Sequence, residues 1–389
     1  MTQAHGGRHA SWLELFFDLV VVAAVVQLAH TLHGDPGLGD IAIFAALYLA
    51  VWMAWTSFTL YANVAGDATQ RRFMMLAMFG IAVMAASVPQ ATAARANIFA
   101  GAYILVRILA TRTWARTRQM LVAWPSVQAG SGILPWIVSL FVPAPWKFVL
   151  WGVGLAADLL LPILLGGKEP DVRVPAWVQR RIDRQPDPAR SQQRLLTRVA
   201  RLDLPHLAER LGLLLIIVLG EAVMQLVNAA ADTEWDAGLV TVATGGFLLL
   251  FLLWFPIFRW GFVASGGRDL PVRLVMPLHY TNTASLTAIA AGLGSLTAHS
   301  HGHVPAGVRW LLCGGVAVYF AAVVLGAVIM SSGWWHVLAL AAITVALPVM
   351  LGLLGADLPA PVLTWLVVAI VAGQVAFALW DERRKSLAR

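Results

Sequence analysis

A chain of 389 residues with 59% hydrophobic and 12% charged side chains cannot present a water-facing surface all round, because soluble domains carry about 25% charged residues. The formal net charge of +7 does not point to nucleic acid, since the basic residues fall between apolar runs instead of gathering in one folded patch. A single cysteine, Cys313, excludes an intrachain disulfide, a cysteine-based zinc site and an iron–sulfur cluster.

The composition is that of a polytopic membrane protein. A bilayer core ~30 Å thick is crossed by about 20 mostly apolar helical residues. On that ruler twelve candidate spans follow one another, near 12–32, 40–61, 72–89, 96–115, 127–143, 146–166, 206–228, 238–259, 274–298, 306–330, 333–354 and 360–380. The fourth is interrupted by Arg107, and the fifth contains Gly130, Gly132 and Pro135, which neighbouring helices can shield. The first run holds two acids and is followed by many more spans, so it is not read as a cleavable signal sequence. The expected fold class is an all-α transmembrane bundle of about twelve spans. It divides into an N-terminal six-helix half (1–166), a basic linker (167–205) and a C-terminal six-helix half (206–389).

The loop charges give the orientation. Arg71 and Arg72, then Arg112, Arg116 and Arg118, the 167–205 segment, Arg259, Arg268 and Arg273, and finally Arg383, Arg384 and Lys385 all fall on one side of the alternation. The other side holds Arg95, Lys147 and Arg309 with the acids Asp35, Asp40, Asp232, Glu234, Asp236 and Asp357. This positive-inside pattern puts both termini in the cytoplasm. Aligning "WLELFFDLVVV" with "HLAERLGLLLIIV" and "LAVWMAWTSF" with "LLLFLLWFPIF" suggests a parallel duplication of six plus six helices.

Within the first span, Glu14 and Asp18 stand four residues apart and share one helix face, about 40° from each other around the axis. Trp12 marks the inner interface and leaves Glu14 in the headgroup zone with Asp18 deeper. A carboxylate inside a span costs ~2.5–3.5 kcal/mol on insertion scales, so Asp18 is expected to face the bundle interior and either pair or take up a proton. In the second span Tyr48, Trp52 and Trp55 form an aromatic stripe, read as helix packing. Arg107 in span four and Asp158 midway along span six are a buried cation and a buried acid that can neutralise each other. Between the halves, Arg190, Arg194, Arg198 and Arg201 recur at helical spacing beside Leu195, Leu196, Val199 and Leu202. The 190–203 stretch therefore reads either as an amphipathic helix on anionic inner-leaflet lipids or as a solvated linker helix.

Span seven carries His206, Arg210, Glu221, Gln225 and Asn228 within about 100° of arc, with Glu209 just off the edge. Glu221 lies ~16 Å of helix rise past Arg210, near the bilayer midplane. His279 in "MPLHYTNTASLTAI" adds a titratable group in span nine. His299, His301 and His303 alternate in an outer loop and read as an ordinary polar segment, so no metal site is assigned. These groups have two readings. They can form a polar pathway or pocket between the halves, or structural ion pairs such as Glu209 with Arg210 and Asp158 with Arg107.

"WLELFFDLV" followed about two hundred residues later by "HLAERLGLLLIIVLGE" closely resembles the bacterial low temperature requirement A family. Glu14, Phe16, Phe17 and Asp18 match its first motif, and His206, Glu209, Arg210, Gly212, Gly220 and Glu221 its second. Val21, Leu211 and Ala222 depart from it where an aromatic, a histidine and a serine are common. The resemblance implies a multi-pass protein of the bacterial cytoplasmic membrane, linked by name to growth in the cold.

The functional expectation is a proton- or ion-linked secondary transporter of a small molecule or ion, with Asp18 and Glu221 as the coupling groups. Glu14, His206, Glu209, Arg210, Gln225, Asp158, Arg107 and His279 would complete the pathway. The alternative is an intramembrane enzyme acting on a lipid or isoprenoid through Asp18, Glu221, His206 and His279 as acids and bases. Neither reading calls for a cofactor, and no nucleotide-binding motif is present.

Overall fold

The computed structural model describes residues 9–117, 119, 121, 124–125, 128, 130–165, 200–260, 264–265, 268–269, 271–298, 304–329 and 342–387. Among these the chain forms twelve α-helices: α1 (Trp12–His30), α2 (Leu38–Ala65), α3 (Arg71–Ser87), α4 (Ala96–Thr117), α5 (Ile133–Ser139), α6 (Trp146–Leu165), α7 (Leu204–Ala231), α8 (Ala237–Trp260), α9 (Val272–Ala298), α10 (Ala306–Ile329), α11 (Leu347–Leu354) and α12 (Ala360–Leu387). A two-residue antiparallel ladder, Ala264–Ser265 with Arg268–Asp269, is the one extended element among the described residues.

Nine of the helices, α1 to α4, α6 to α8, α10 and α12, are long and apolar enough to cross a bilayer. The other three expected spans differ for local reasons. At 127–143 the described helix is α5, seven residues long. At 274–298, α9 has the length, 27 residues, but His279, Asn282, Thr283, Ser285 and Thr287 lower its apolarity. All five of those side chains are buried, so the helix keeps its polar groups for the protein interior, as lipid demands. At 333–354 the described part is a π-helical turn, Ala342–Ala346, running into α11.

The chain divides into two compact units. The first comprises the residues up to Ala24, Leu49–Arg210 and Pro271–Pro277, and the second Val25–Tyr48, Leu211–Leu270 and Leu278–Arg389. The core of the first is aromatic. Trp52 and Trp55 of α2 are fully buried, with Trp52 edge-on to Trp124 and Tyr61 edge-on to Trp114. Trp136 of α5 stacks on Trp151 of α6 at 4.6 Å between ring centroids, with Tyr103 of α4 closing the cluster at 4.3 Å. Such rings supply large buried area.

In the second unit α8 packs on α12, with the Trp365 indole donating to the Thr241 carbonyl at 3.2 Å. The Asp35 carboxylate accepts the Gly307 N–H at the start of α10 at 2.6 Å, satisfying a helix-terminal donor. Further along the unit, the Arg309 Nε donates to the Gly352 carbonyl at 2.9 Å.

At Gly132, the residue before α5, the backbone lies close against α6. A methyl group at Gly132 would stand 2.3 Å from the Gly154 carbonyl oxygen and 2.6 Å from the Asp158 carboxylate, with no flexible side-chain end able to swing away. Gly132→Ala should therefore destabilise by about 1–3 kcal/mol through overpacking, read as a fall in melting temperature in detergent. Gly152→Ala on α6, where a methyl group meets nothing within 4 Å, should leave the melt in place.

Candidate functional site

The entry of α1 sets up the site. Ser11 precedes the helix, and its backbone N–H and hydroxyl both donate to Glu14 Oε2 at 2.8 Å, while the Glu14 N–H returns a bond to the Ser11 hydroxyl at 3.4 Å. This Ser-Trp-Leu-Glu capping box is a sequence signal that the span-based reading overlooks. It holds one carboxylate oxygen at the helix start and leaves the other, Oε1, facing inward.

The entry of α7 is built the same way. Asp203 accepts the His206 N–H at 3.1 Å, and His206 and Arg210 then share one face at four-residue spacing. The two faces meet. Arg210 binds Asp18 in a fork, Nη2 to Oδ1 at 2.6 Å and Nε to Oδ2 at 3.2 Å, and its Nη1 lies 3.2 Å from Glu14 Oε1. His206 Nε2 stands 3.5 Å from the same Glu14 oxygen. The order Glu14 to Asp18 advances with His206 to Arg210, so the two helical turns run parallel. Trp55 completes the shell by donating its indole N–H to Asp18 Oδ1 at 2.7 Å.

Asn63 of α2 settles the histidine's tautomer. Its carbonyl oxygen accepts the Asp203 N–H at 2.9 Å, so its amide nitrogen is the group that donates to the Asp203 carbonyl at 2.9 Å and faces His206 Nδ1 at 3.0 Å. Nδ1 therefore accepts, and Nε2 carries the proton toward Glu14. Glu14, Asp18, His206 and Arg210 are all 0–1% exposed. Two carboxylates share one guanidinium, and the charges balance when one further proton is present on a carboxyl. Removing these groups from water is costly unless they are paired; the fork pairs Arg210 with Asp18, and Glu14 stands at ion-pair distance from Arg210 and His206.

A second buried pair lies in the same unit. Arg107 Nη2 meets Asp158 Oδ2 at 2.9 Å with both side chains fully buried. The Gly132 N–H, the Ser131 hydroxyl and the Tyr103 hydroxyl donate to the same carboxylate at 3.0, 3.3 and 3.4 Å, and Arg107 also donates to the Ser57 hydroxyl. This pair is locally neutral and both carboxylate oxygens of Asp158 accept hydrogen bonds, as a structural lock requires.

The remaining candidates have other partners. Glu209, adjacent to Arg210 in sequence, points elsewhere and meets His9 at 3.5 Å near the surface. Glu221 is half-buried and accepts from Gln225 at 3.4 Å. His279 is buried with Nε2 3.1 Å from the Leu211 carbonyl. His299, His301, His303 and residues 190–199 lie outside the described residues. The His30 and His33 rings lie 4.9 Å apart. Burial first, then the charge of His30, pushes the His33 imidazole below its ordinary value, partly offset by Gln225.

The profile of the bacterial low temperature requirement A protein family (LtrA) matches residues 9–373, which span both halves of the cluster and both buried pairs. An uncharacterized protein of Rhizobium meliloti (strain 1021) is 28% identical over 259 residues, which are 65% of this chain and 59% of that protein. The chain thus matches less than two thirds of the length of that relative. No solved structure matches. The chain belongs to the bacterial low temperature requirement A family.

Truncating one member of the cluster strands the others in a dry interior. Asp18→Ala and Arg210→Ala should each lower stability by about 3–5 kcal/mol, whereas the double variant should cost less than their sum by about 0.5–3 kcal/mol, measured as melting or denaturant midpoints in micelles. Glu209→Gln should stay within about 0.5 kcal/mol. His33 has the opposite dependence on acid from a salt-bridged histidine. Its folded-state value is depressed, so its contribution is complete above the free imidazole value and is lost as pH falls below it. His33→Gln should flatten that acid limb of the stability profile.

Proposed function

We propose that this low temperature requirement A family member is a proton- or ion-linked secondary transporter of a small solute in the bacterial cytoplasmic membrane, with the Glu14–Asp18–Arg210–His206 cluster as its coupling element. In this reading the chain has twelve spans, cytoplasmic termini, two six-helix halves (1–166 and 206–389) and a basic 167–205 linker resting on anionic inner-leaflet lipids. The parallel advance of the first turns of α1 and α7 supports two halves of the same orientation, because each turn opens one half.

The observation that carries the proposal is the charge count inside the bilayer-spanning helices. With the extra proton, one carboxylate and one carboxylic acid face the guanidinium, and the cluster is neutral. Without it, one negative charge remains in a low-dielectric interior, which is expensive and favours either a cation at Glu14 or separation of the two helical turns. Protonation and helix contact are then linked, as coupling requires. Glu221, Gln225 and Asn228, further along α7, and His279 on α9 supply polar positions for the solute route. The Arg107–Asp158 pair holds α4 to α6 as the frame against which such movement occurs.

In inverted vesicles carrying the chain, at least one small solute should accumulate faster than in vesicles without it, and a protonophore should abolish the difference. Asp18→Asn and Glu14→Gln should lower that rate by about tenfold or more, equivalent to ~1.4 kcal/mol on the limiting step, and shift its pH dependence. Gradient-driven uptake that is unchanged in both variants would show that the cluster does not couple transport. The absence of any gradient-dependent solute would remove the transporter reading altogether.

A further inference from the structure

A cavity of about 320 Å³ opens where α2 and α4 end and α3 begins, between Tyr61, Gln70, Thr113, Arg116 and Thr117. That volume is within the range of small-ligand sites. No carboxylate is among its lining residues that the structure describes. Arg116 is held in place, donating to the Gln70 side chain at 2.8 Å and lying over the Phe73 ring at 4.8 Å from the centroid. Arg72 lies over the same ring at 5.2 Å, so two guanidiniums converge on one phenyl group.

On the α3 side the position is electrostatically unfavourable as it stands. Arg71 and Arg72 occupy the first turn of α3, whose N-terminus carries partial positive charge, and Gln70 makes no side-chain cap there. Cations at that end repel the helix dipole and each other, and an anion seated between them relieves both. Beyond Arg72, Met75, Leu76 and Phe79 follow at three, four and seven residues, all exposed, and form one apolar face below the charged end.

We propose that this cavity binds the phosphate headgroup of an anionic phospholipid, with Arg116 and Arg72 on the phosphate and Met75, Leu76 and Phe79 along an acyl chain. The geometry matches what such a lipid presents: a forked guanidinium for the phosphate oxygens, room for the polar headgroup, and an apolar stripe starting one turn deeper. Basic pockets between helices at a membrane face take anionic headgroups by this chemistry. The site is separate from the buried charge cluster and does not depend on transport.

The test uses the full chain in detergent, with native mass spectrometry and melting curves in phosphatidylglycerol, phosphatidylcholine of the same chain length, or inorganic phosphate. Wild type should retain phosphatidylglycerol over phosphatidylcholine and melt higher with it, and inorganic phosphate should not reproduce the rise. Arg72→Gln and Arg116→Gln should each lower the preference by about fivefold, with melting in phosphatidylcholine unchanged. Arg95→Gln, an exposed arginine bonded to the Ala86 carbonyl, should leave the preference intact. Arg116→Gln also removes the Gln70 bond, so if it fails to fold, Arg72→Gln decides the matter through its own ring contact alone. Equal retention of the two lipids by wild type, or a preference surviving in Arg72→Gln, overturns the proposal. A rise with inorganic phosphate equal to that with phosphatidylglycerol overturns the lipid assignment in favour of a soluble anion.

Discussion

A guanidinium that cannot reach water must be met by anions already in place, and Arg210 imposes that condition on the first unit of this protein. Its fork on Asp18 and its third nitrogen near Glu14 fix the relative rotation of α1 and α7 about their axes. They also fix the register, because a slip of one residue would swing either face by about 100°. The contact joins residues 192 positions apart in the chain. The capping interactions at Ser11 and Asp203 follow from it, since each sets the first turn of a helix so that the next turn presents the right face. Trp55 and Asn63, both on α2, brace the cluster from a third side.

The second buried pair shows how differently the same chemistry can be used. Asp158 receives Arg107, a backbone N–H and two hydroxyls, so both of its oxygens are satisfied and its charge is matched one to one. Such an arrangement stores little imbalance and resists change. The Arg210 cluster has more acid than base and includes an imidazole, so its energy depends on a proton. Both pairs touch one short stretch of α2: Trp55 reaches Asp18 and Ser57 reaches Arg107. The stretch that braces the variable cluster is thus anchored on its other side to the invariant one.

Much of this was legible in the amino-acid sequence, for an energetic reason. Charged residues inside apolar runs are too costly to be incidental, so Glu14, Asp18, Arg107, Asp158, His206 and Arg210 stand out, and the Arg107–Asp158 pairing follows from there being few alternatives. The pairing of Arg210 was less accessible. Glu209 is its neighbour in sequence, but adjacent helical residues point about 100° apart and do not face each other, so the partner came from another helix. Trp55, Ser57 and Asn63 were hidden because neutral polar groups in an aromatic helix look like packing residues. Nine spans followed from hydropathy. The polar face of α9 and the seven-residue α5 show where hydropathy loses its hold, since both depend on what the surrounding helices bury.

Glu14 answers to two masters. One of its oxygens closes the hydrogen-bonded turn with which α1 begins, and the other looks into the ionic cluster. Any redistribution of charge around Arg210 is therefore felt at the lip of the helix without a chain of intermediates. A single side chain thus ties Ser11, just ahead of Trp12, directly to the buried ionic cluster.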